Sequence, residues 1–272
     1  MINAQNITVD IGGRRILDGV SLIAKPGHLT AVIGPNGSGK TTLMKALCRD
    51  HAYSGRITLN GRDLKDLQPV EAASLRAVLP QSSALPFPFT VREVVALGLS
   101  AGLSGVSSAT RQRLPEEALA RVDLGGFAGR FYGELSGGEQ QRVQLARVLC
   151  QVWVPVLDGV PRYLFLDEPV SSLDIRHQLM VMDVARRFAD AGGGVIAILH
   201  DLNLAAMYAD SIVAMRQGRV AGFGPPVVVM TDALLAEVFD CPMQVSRVPA
   251  PGTPFVLPQS AVCRATIQSK VA

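Results

Sequence analysis

The sequence predicts an α/β fold in which a mainly parallel sheet is covered by helices on both faces. Two observations carry that expectation. Continuous apolar runs, Thr30-Ala31-Val32-Ile33, Tyr163-Leu164-Phe165-Leu166 and Val195-Ile196-Ala197-Ile198-Leu199, alternate with helical patterns. Strands buried on both faces read this way, whereas half-exposed strands alternate apolar with polar. The first run also leads directly through a Gly-rich loop into a helical pattern at Leu43, Met44, Ala46 and Leu47.

The elements follow in order. Asn6 to Asp10 alternates loosely as a strand, Gly12-Gly13 marks a turn, and Val20 to Ala24 reads as a second strand. Residues 55–60 and Gly61 form another strand and turn. Val91 to Leu99 and Glu116 to Val122 are expected helices, with the small, polar GLSGVSSATRQ between them as an exposed loop. Arg176 to Ala189 is helical between the second and third apolar runs. After about Pro225 the chain becomes Pro-rich and reads as an extended terminal segment, ending in VPAPGTPFVLP at 248–258.

A chain of 272 residues, 48% hydrophobic, buries a core without disulfide or metal staples. Its 26 basic and 23 acidic residues leave a net charge of +3, too balanced to argue for a nucleic-acid partner. The start, MINAQNITVD, lacks the basic and apolar regions of a signal peptide. No run of 18 apolar residues marks a membrane span. Cys48, Cys150, Cys241 and Cys263 match no metal or redox spacing and read as reduced thiols.

Gly34-Pro35-Asn36-Gly37-Ser38-Gly39-Lys40-Thr41-Thr42 fits G-x-x-x-x-G-K-[ST] between a strand and a helix. Glycines there let successive backbone N–H groups turn toward phosphate oxygens, and the helix adds the positive end of its dipole. Lys40 is placed for the β- and γ-phosphates and the Thr41 hydroxyl for Mg²⁺, which implies a bound nucleoside triphosphate. Asp167 stands at the carboxyl end of a buried strand, where a carboxylate holds the metal through its water shell. Glu168 leaves the backbone in another direction and is the candidate base for the attacking water.

A third segment, Leu135-Ser136-Gly137-Gly138-Glu139, continued by Gln140-Gln141-Arg142, puts Ser and two glycines at the head of a helix. That is an anion-binding terminus without a Lys, suited to closing over a γ-phosphate held by another copy. Ser136 and Glu139 also make a capping box, and both roles are compatible.

With these residues in view the sequence resembles the nucleotide-binding subunits of ABC transporters over nearly its whole length. In that family's order it has a Walker A loop at Gly34–Thr42, a Q-loop glutamine at Gln81 and a signature at Leu135–Glu139. The Walker B strand follows at Tyr163–Asp167 with Glu168, then a D-loop at Ser171-Ser172-Leu173-Asp174 and a switch histidine at His200. The resemblance implies a P-loop NTPase ABC-ATPase fold with a RecA-like parallel-sheet core, an N-terminal antiparallel β subdomain and an inserted α-helical subdomain. One domain spans 1–272, with 1–85 and 152–245 as the core, about 86–151 as the helical lobe and 246–272 as the Pro-rich end.

The resemblance also assigns roles. Glu168, His200 and Gln81 serve catalysis, and Gly34–Thr42 bind ATP. Leu135–Glu139 and Asp174 reach a partner copy's ATP, and Thr41, Gln81 and Asp167 hold Mg²⁺, Asp167 through water. It implies a head-to-tail homodimer, two polytopic membrane permease subunits and a periplasmic binding protein, at the cytoplasmic face of an inner membrane. His28, His51 and His177 have no comparable setting and read as surface or packing residues.

Three features depart from the family's commonest pattern. Ile11 stands where an aromatic residue usually stacks on adenine, which removes a π-face. His28 occupies a turn where Glu is more usual. Val152 to Pro161 lengthens the connector before Walker B and reads as a surface excursion. Leu85-Pro86-Phe87-Pro88-Phe89-Thr90 is either a stiff apolar knob for a partner groove or a buried turn. Within importers, Phe87–Val95, Val154–Arg162 and Pro254–Pro258 resemble the ATPases of iron-chelate, cobalamin and heme uptake systems, and most narrowly those of hemin importers.

Overall fold

In the computed structural model, which describes residues 1–81, 87–100 and 105–261, two sheets face each other across the helix that follows the phosphate loop. The chain starts with β1 (Ile2–Ile11) and β2 (Arg14–Ala24), an antiparallel pair turning at Gly12-Gly13. β3 (Leu29–Ile33) leads into α1 (Lys40–Cys48), and β4 (Ser54–Leu59) and β5 (Arg62–Asp63) return to the first sheet. α2 (Pro69–Leu75) and β6 (Arg76–Leu79) precede three helices, α3 (Val91–Ser100), α4 (Ser108–Arg121) and α5 (Gly137–Gln151). A small hairpin, β7 (Val156–Leu157) and β8 (Val160–Pro161), leads to β9 (Tyr163–Asp167), α6 (Ile175–Asp190) and β10 (Gly194–Ile198). α7 (Leu202–Tyr208), β11 (Ser211–Arg216), β12 (Arg219–Gly224), α8 (Pro226–Val229) and α9 (Asp232–Phe239) complete the order.

The large sheet runs β12-β11-β3-β10-β9-β6, parallel except for β12, and the small one runs β2-β1-β4-β5. Period-two alternation explains the apolar runs. Val32, Phe165 and Ile198 point toward Ile7, Leu17 and Leu22 of the small sheet. Ala31, Ile33, Leu164, Leu166 and Ala197 pack with the helices on the other face. Both directions are dry, so these strands are apolar on both faces except at buried Thr30 in β3 and at Asp167, which ends β9. The parallel core strands β3, β9 and β10 therefore end together, and their carboxyl ends carry the loops of the candidate site.

Several expectations change. The exposed loop was set at GLSGVSSATRQ, but α4 already begins at Ser108, because the Ser107 hydroxyl accepts the Thr110 backbone N–H as N-cap. The segment after Pro225 is not extended at its start: Pro226 opens α8 and Thr231 caps α9, which buries Val229, Leu235 and Val238. The connector at 152–161 is more than a surface excursion. Val152 is buried, Trp153 packs against the core under the Arg121 guanidinium, 3.5 Å from the ring centre, and Asn60 donates to the Pro161 carbonyl at 2.9 Å. Phe89 packs on the core while Phe87, at 66% exposure, stands out beside it; Leu85 and Pro86 lie outside the described residues. Cys48 and Cys150 are buried with their thiols pushed up by desolvation, and Cys241 is exposed and free; Cys263 lies outside the described residues. Among the described residues no helix is long and apolar enough to cross a membrane.

Candidate functional site

The loop between β3 and α1 is shaped by two close approaches. A Cβ on Gly34 would lie 2.3 Å from the Met215 carbonyl oxygen, and one on Gly39 would lie 2.8 Å from Leu17 Cδ2. Gly39 also enters α1 with φ +101°, so only glycine fits there. Between them Ser38 donates its N–H to the Pro35 carbonyl, Asn36 and Gly37 are exposed, and space around the Gly37 α-carbon is open. The Ser38 hydroxyl oxygen is buried and has no partner among the described residues.

Lys40 is 6% exposed, and its Nζ donates to the Gly34 and Pro35 carbonyls at 2.8 and 2.9 Å. Burial pulls its pKa below the ordinary lysine value, against the opposing pull of Glu168 and Asp167. The ammonium thus closes the loop from inside, with two carboxylates in its field. Thr41 and Thr42 follow Lys40 in the first turn of α1, and the Thr41 hydroxyl hydrogen-bonds the Asp167 carboxylate.

Asp167 ends β9 and is 5% exposed. Desolvation first, then the neighbouring Glu168, raises its pKa above the usual Asp value. Its Oδ1 is buried without a hydrogen-bond partner among the described residues. A buried, unpartnered carboxylate oxygen beside a hydroxyl and a Lys is a costly arrangement for a cation-free site. Two hard oxygen donors of this kind suit Mg²⁺.

Glu168 takes the left-handed conformation at φ +52°. For a non-glycine residue this costs roughly 1–2 kcal/mol. Its carbonyl is held by the Ser171 N–H, the Ser171 hydroxyl and the Gln141 side-chain amide, the last at 3.0 Å. Its carboxylate is gripped on both oxygens: His200 Nε2 lies 2.7 Å from Oε1, and Gln81 Nε2 donates to Oε2 at 2.9 Å. The three expected catalytic residues therefore meet at one carboxylate. Gln141 was given no role in the sequence, although it follows the signature by two residues; only folding α5 against the end of β9 reveals its contact.

Ser136 caps α5. Its N–H and hydroxyl donate to Glu139 Oε2 at 2.8 and 2.7 Å, and its Oγ accepts the Glu139 N–H. These bonds hold the Glu139 carboxyl below its usual range. Leu135 anchors the motif from below, with its carbonyl accepting from Gln140. The signature does not sit on its own phosphate loop. It borders a cleft of about 410 Å³ shared with Leu173 and Asp174, and a Cβ on Gly138 would lie 3.2 Å from the Ser172 carbonyl oxygen. Space around the Gly137 α-carbon is open.

His177, expected as a surface or packing residue, sits between two carboxylates. Its backbone N–H and its Nδ1 both meet Asp174 Oδ1, at 2.9 and 2.8 Å, and its Nε2 faces Asp123 Oδ2 at 3.6 Å.

The same arrangement of loops is found in known proteins. A family model described as ABC transporter matches residues 17–171. The chain belongs to the ABC transporter family. A hemin import ATP-binding protein, HmuV, of Mesorhizobium japonicum is 64% identical over 262 residues, covering 96% of this chain and 100% of its own length. HmuV of Rhizobium meliloti is 58% identical over 96% of this chain and 99% of its own. A solved ATP-binding subunit of an ABC transporter superposes with a TM-score of 0.73 at 25% identity, covering 83% of this chain and 90% of that one. The fold is that of the ABC ATPases, with the parallel core, antiparallel N-terminal sheet and inserted helices that the sequence suggested. This ABC ATPase is an ATP-hydrolysing transporter subunit.

Proposed function

We infer that the chain is the ATPase subunit of a bacterial hemin importer. The observation that carries this reading is the 64% identity to a hemin import ATP-binding protein across that relative's full length. In this reading residues 1–85 and 152–245 form the nucleotide-binding core, 86–151 the helical lobe and 246–272 a terminal segment. Two copies work head to tail beneath two polytopic permease subunits, on the cytoplasmic face of the inner membrane, and a periplasmic protein delivers the hemin.

The site supports a definite division of labour. Gly34–Thr42 wrap the triphosphate of ATP, and Lys40 trades its two loop carbonyls for phosphate oxygens, keeping its charge satisfied throughout. Thr41, Asp167 and Gln81 are the residues that would hold Mg²⁺, which when bound supplies positive charge beside the β- and γ-phosphates. Glu168 accepts the proton of the attacking water. His200 and Gln81 fix the direction of its carboxylate, since each holds one oxygen. Leu135–Glu139 and Asp174 close over the ATP of the partner copy, and Ser136 moves from helix cap to phosphate ligand.

Hemin-dependent ATPase stimulation in the complex reconstituted with the permease and binding protein tests the cargo. Stimulation by a ferric siderophore or cobalamin, with none by hemin, overturns the hemin reading and leaves the ATPase chemistry standing.

A further inference from the structure

His177 joins two parts of the chain that lie far apart in sequence. It stands in the first turn of α6, three residues after Asp174, and its side chain is 18% exposed between two carboxylates. Asp174 belongs to the D-loop. Asp123 belongs to the turn between α4 and α5, in the helical part that carries the signature, and takes a left-handed φ of +57°. Asp123 is itself held from three sides. Arg142 of α5 donates to its carbonyl and to that of Val122, both at 3.0 Å, Arg176 of α6 donates to its carboxylate at 2.8 Å, and His177 approaches the same oxygen. The Arg176 pair is largely exposed and contributes little by itself. His177 is the sheltered member, and it alone of these side chains also touches the D-loop carboxylate.

The packing above this turn agrees. The cleft of about 410 Å³ bordered by Ser136 and Glu139 on one side and Leu173 and Asp174 on the other has Arg142 and His177 in its lining. Gly138 comes close enough to the Ser172 carbonyl that a methyl group there would crowd it. Signature and D-loop thus form one continuous surface, backed by the Asp174–His177–Asp123 chain. The Asp174 carboxyl is held below its usual range, first by the His177 backbone N–H, so the acid remains an ionised acceptor for the ring.

We propose that His177 is a positioning residue that ties the D-loop to the signature-bearing helices through Asp123. The surface each subunit offers to its partner's nucleotide then moves as a single piece. This rests on the reading that Ser136 and Asp174 act across the dimer. Without the tie, the two motifs must each be ordered separately when the dimer closes, and that entropy opposes closure. His177 touches no reacting atom, so the effect falls on closure rather than on nucleotide binding within one monomer.

Amide hydrogen exchange and ATP-dependent dimerisation of the full chain test this together. In the monomer, His177→Ala should speed exchange in both 171–178 and 121–124, and Asp123→Ala should do the same. In a Glu168→Gln background, His177→Ala should weaken ATP-dependent dimerisation by about fivefold, as expected for residues in direct contact, and add little once Asp123 is Ala. The ATP dissociation constant of the monomer should stay within twofold, which loss of the fold would not allow, and kcat should fall without a matching change in KM. Unchanged exchange at 121–124 in His177→Ala, or additive effects of the two substitutions, overturns the proposal. Ser136→Ala in the same background separates the underlying reading. If it leaves dimerisation untouched while His177→Ala still loosens both segments, the cross-dimer role fails and the tie stands.

Discussion

His200 Nε2 lies 2.7 Å from Glu168 Oε1, so the residue at the end of β10 reaches the carboxylate that follows β9. Adjacent parallel strands make this possible, because Ile198 pairs with Asp167 and the next residues leave the sheet side by side. With Gln81 on the other oxygen, the carboxylate keeps one orientation. Glu168→Gln should therefore lower turnover by about 10²–10⁴-fold, the usual worth of a positioned base, while ATP binding persists. His200→Ala and Gln81→Ala should each cost less, since the base survives but loses one guide. Steady-state ATPase rates and equilibrium ATP binding on the three variants decide it. Parent-level turnover in Glu168→Gln would show that another group takes the proton.

Lys40 and Ser136 should separate binding from closure. Lys40→Ala removes a buried cation from the loop proposed to wrap the triphosphate, a charged hydrogen bond worth about 1.5–3 kcal/mol. ATP affinity of the monomer should fall by about tenfold or more. Ser136→Ala removes a helix cap and a distant hydroxyl, so it should spare that affinity and reduce turnover. Titration of a fluorescent ATP analogue into each variant reads the difference, and equal losses would exclude a role for Ser136 confined to the dimer.

What the sequence made legible, and what it hid, follows from the range of the interactions. β3, β9 and β10 announce themselves because both faces are dry, and the phosphate loop because its chemistry is local. β11 is as buried along its centre but carries no motif, β12 is only half-buried, and α8 lies at the start of the segment that read as extended. At the site, Glu168 was read from its place after Asp167 at a strand end, and Gln81 and His200 from order and resemblance. Gln141 and His177 were not, since their partners, the Glu168 carbonyl and Asp123, are set only by how α5 and α6 pack. Lys40 was read as a phosphate contact, and its bonds to the Gly34 and Pro35 carbonyls, which depend on how the loop folds, were not foreseen.

Asp167 should limit stability. Its pKa is raised in the fold, chiefly by burial, so the folded state binds the proton more tightly than the unfolded chain. The stabilising share of this group is full below the unfolded pKa and is lost as pH rises through the raised folded value. At neutral pH the charge is a net cost. Asp167→Asn should therefore raise the melting temperature by a few degrees at pH 7. That gain should shrink as pH is lowered toward the unfolded Asp value, where the parent is protonated too. The same variant should lose Mg²⁺-dependent ATPase activity. Thermal melts of both proteins across pH check the sign, and a variant less stable than the parent at pH 7 would show that the carboxylate is a net support of the fold.

Ile11 should be improvable as a base contact. It ends β1 at the turn, directly opposite Arg14 on β2, and is 43% exposed. Two residues further along β2 from Arg14, Ile16 and then Leu17 come against Gly39 of the phosphate loop, so the strand that carries this turn borders that loop. An isoleucine there offers apolar area but no ring for the adenine to stack on. Ile11→Tyr restores a π-face without disturbing a buried position, and aromatic stacking is worth about 0.5–1.5 kcal/mol beyond area. ATP affinity should rise by about two- to tenfold. Affinity for inorganic tripolyphosphate, which has no base, should not change, and that contrast isolates stacking from any change in the loop. Equal gains for ATP and tripolyphosphate would place the effect in the phosphate loop instead, and no gain for either would mean the base lies elsewhere than over Ile11.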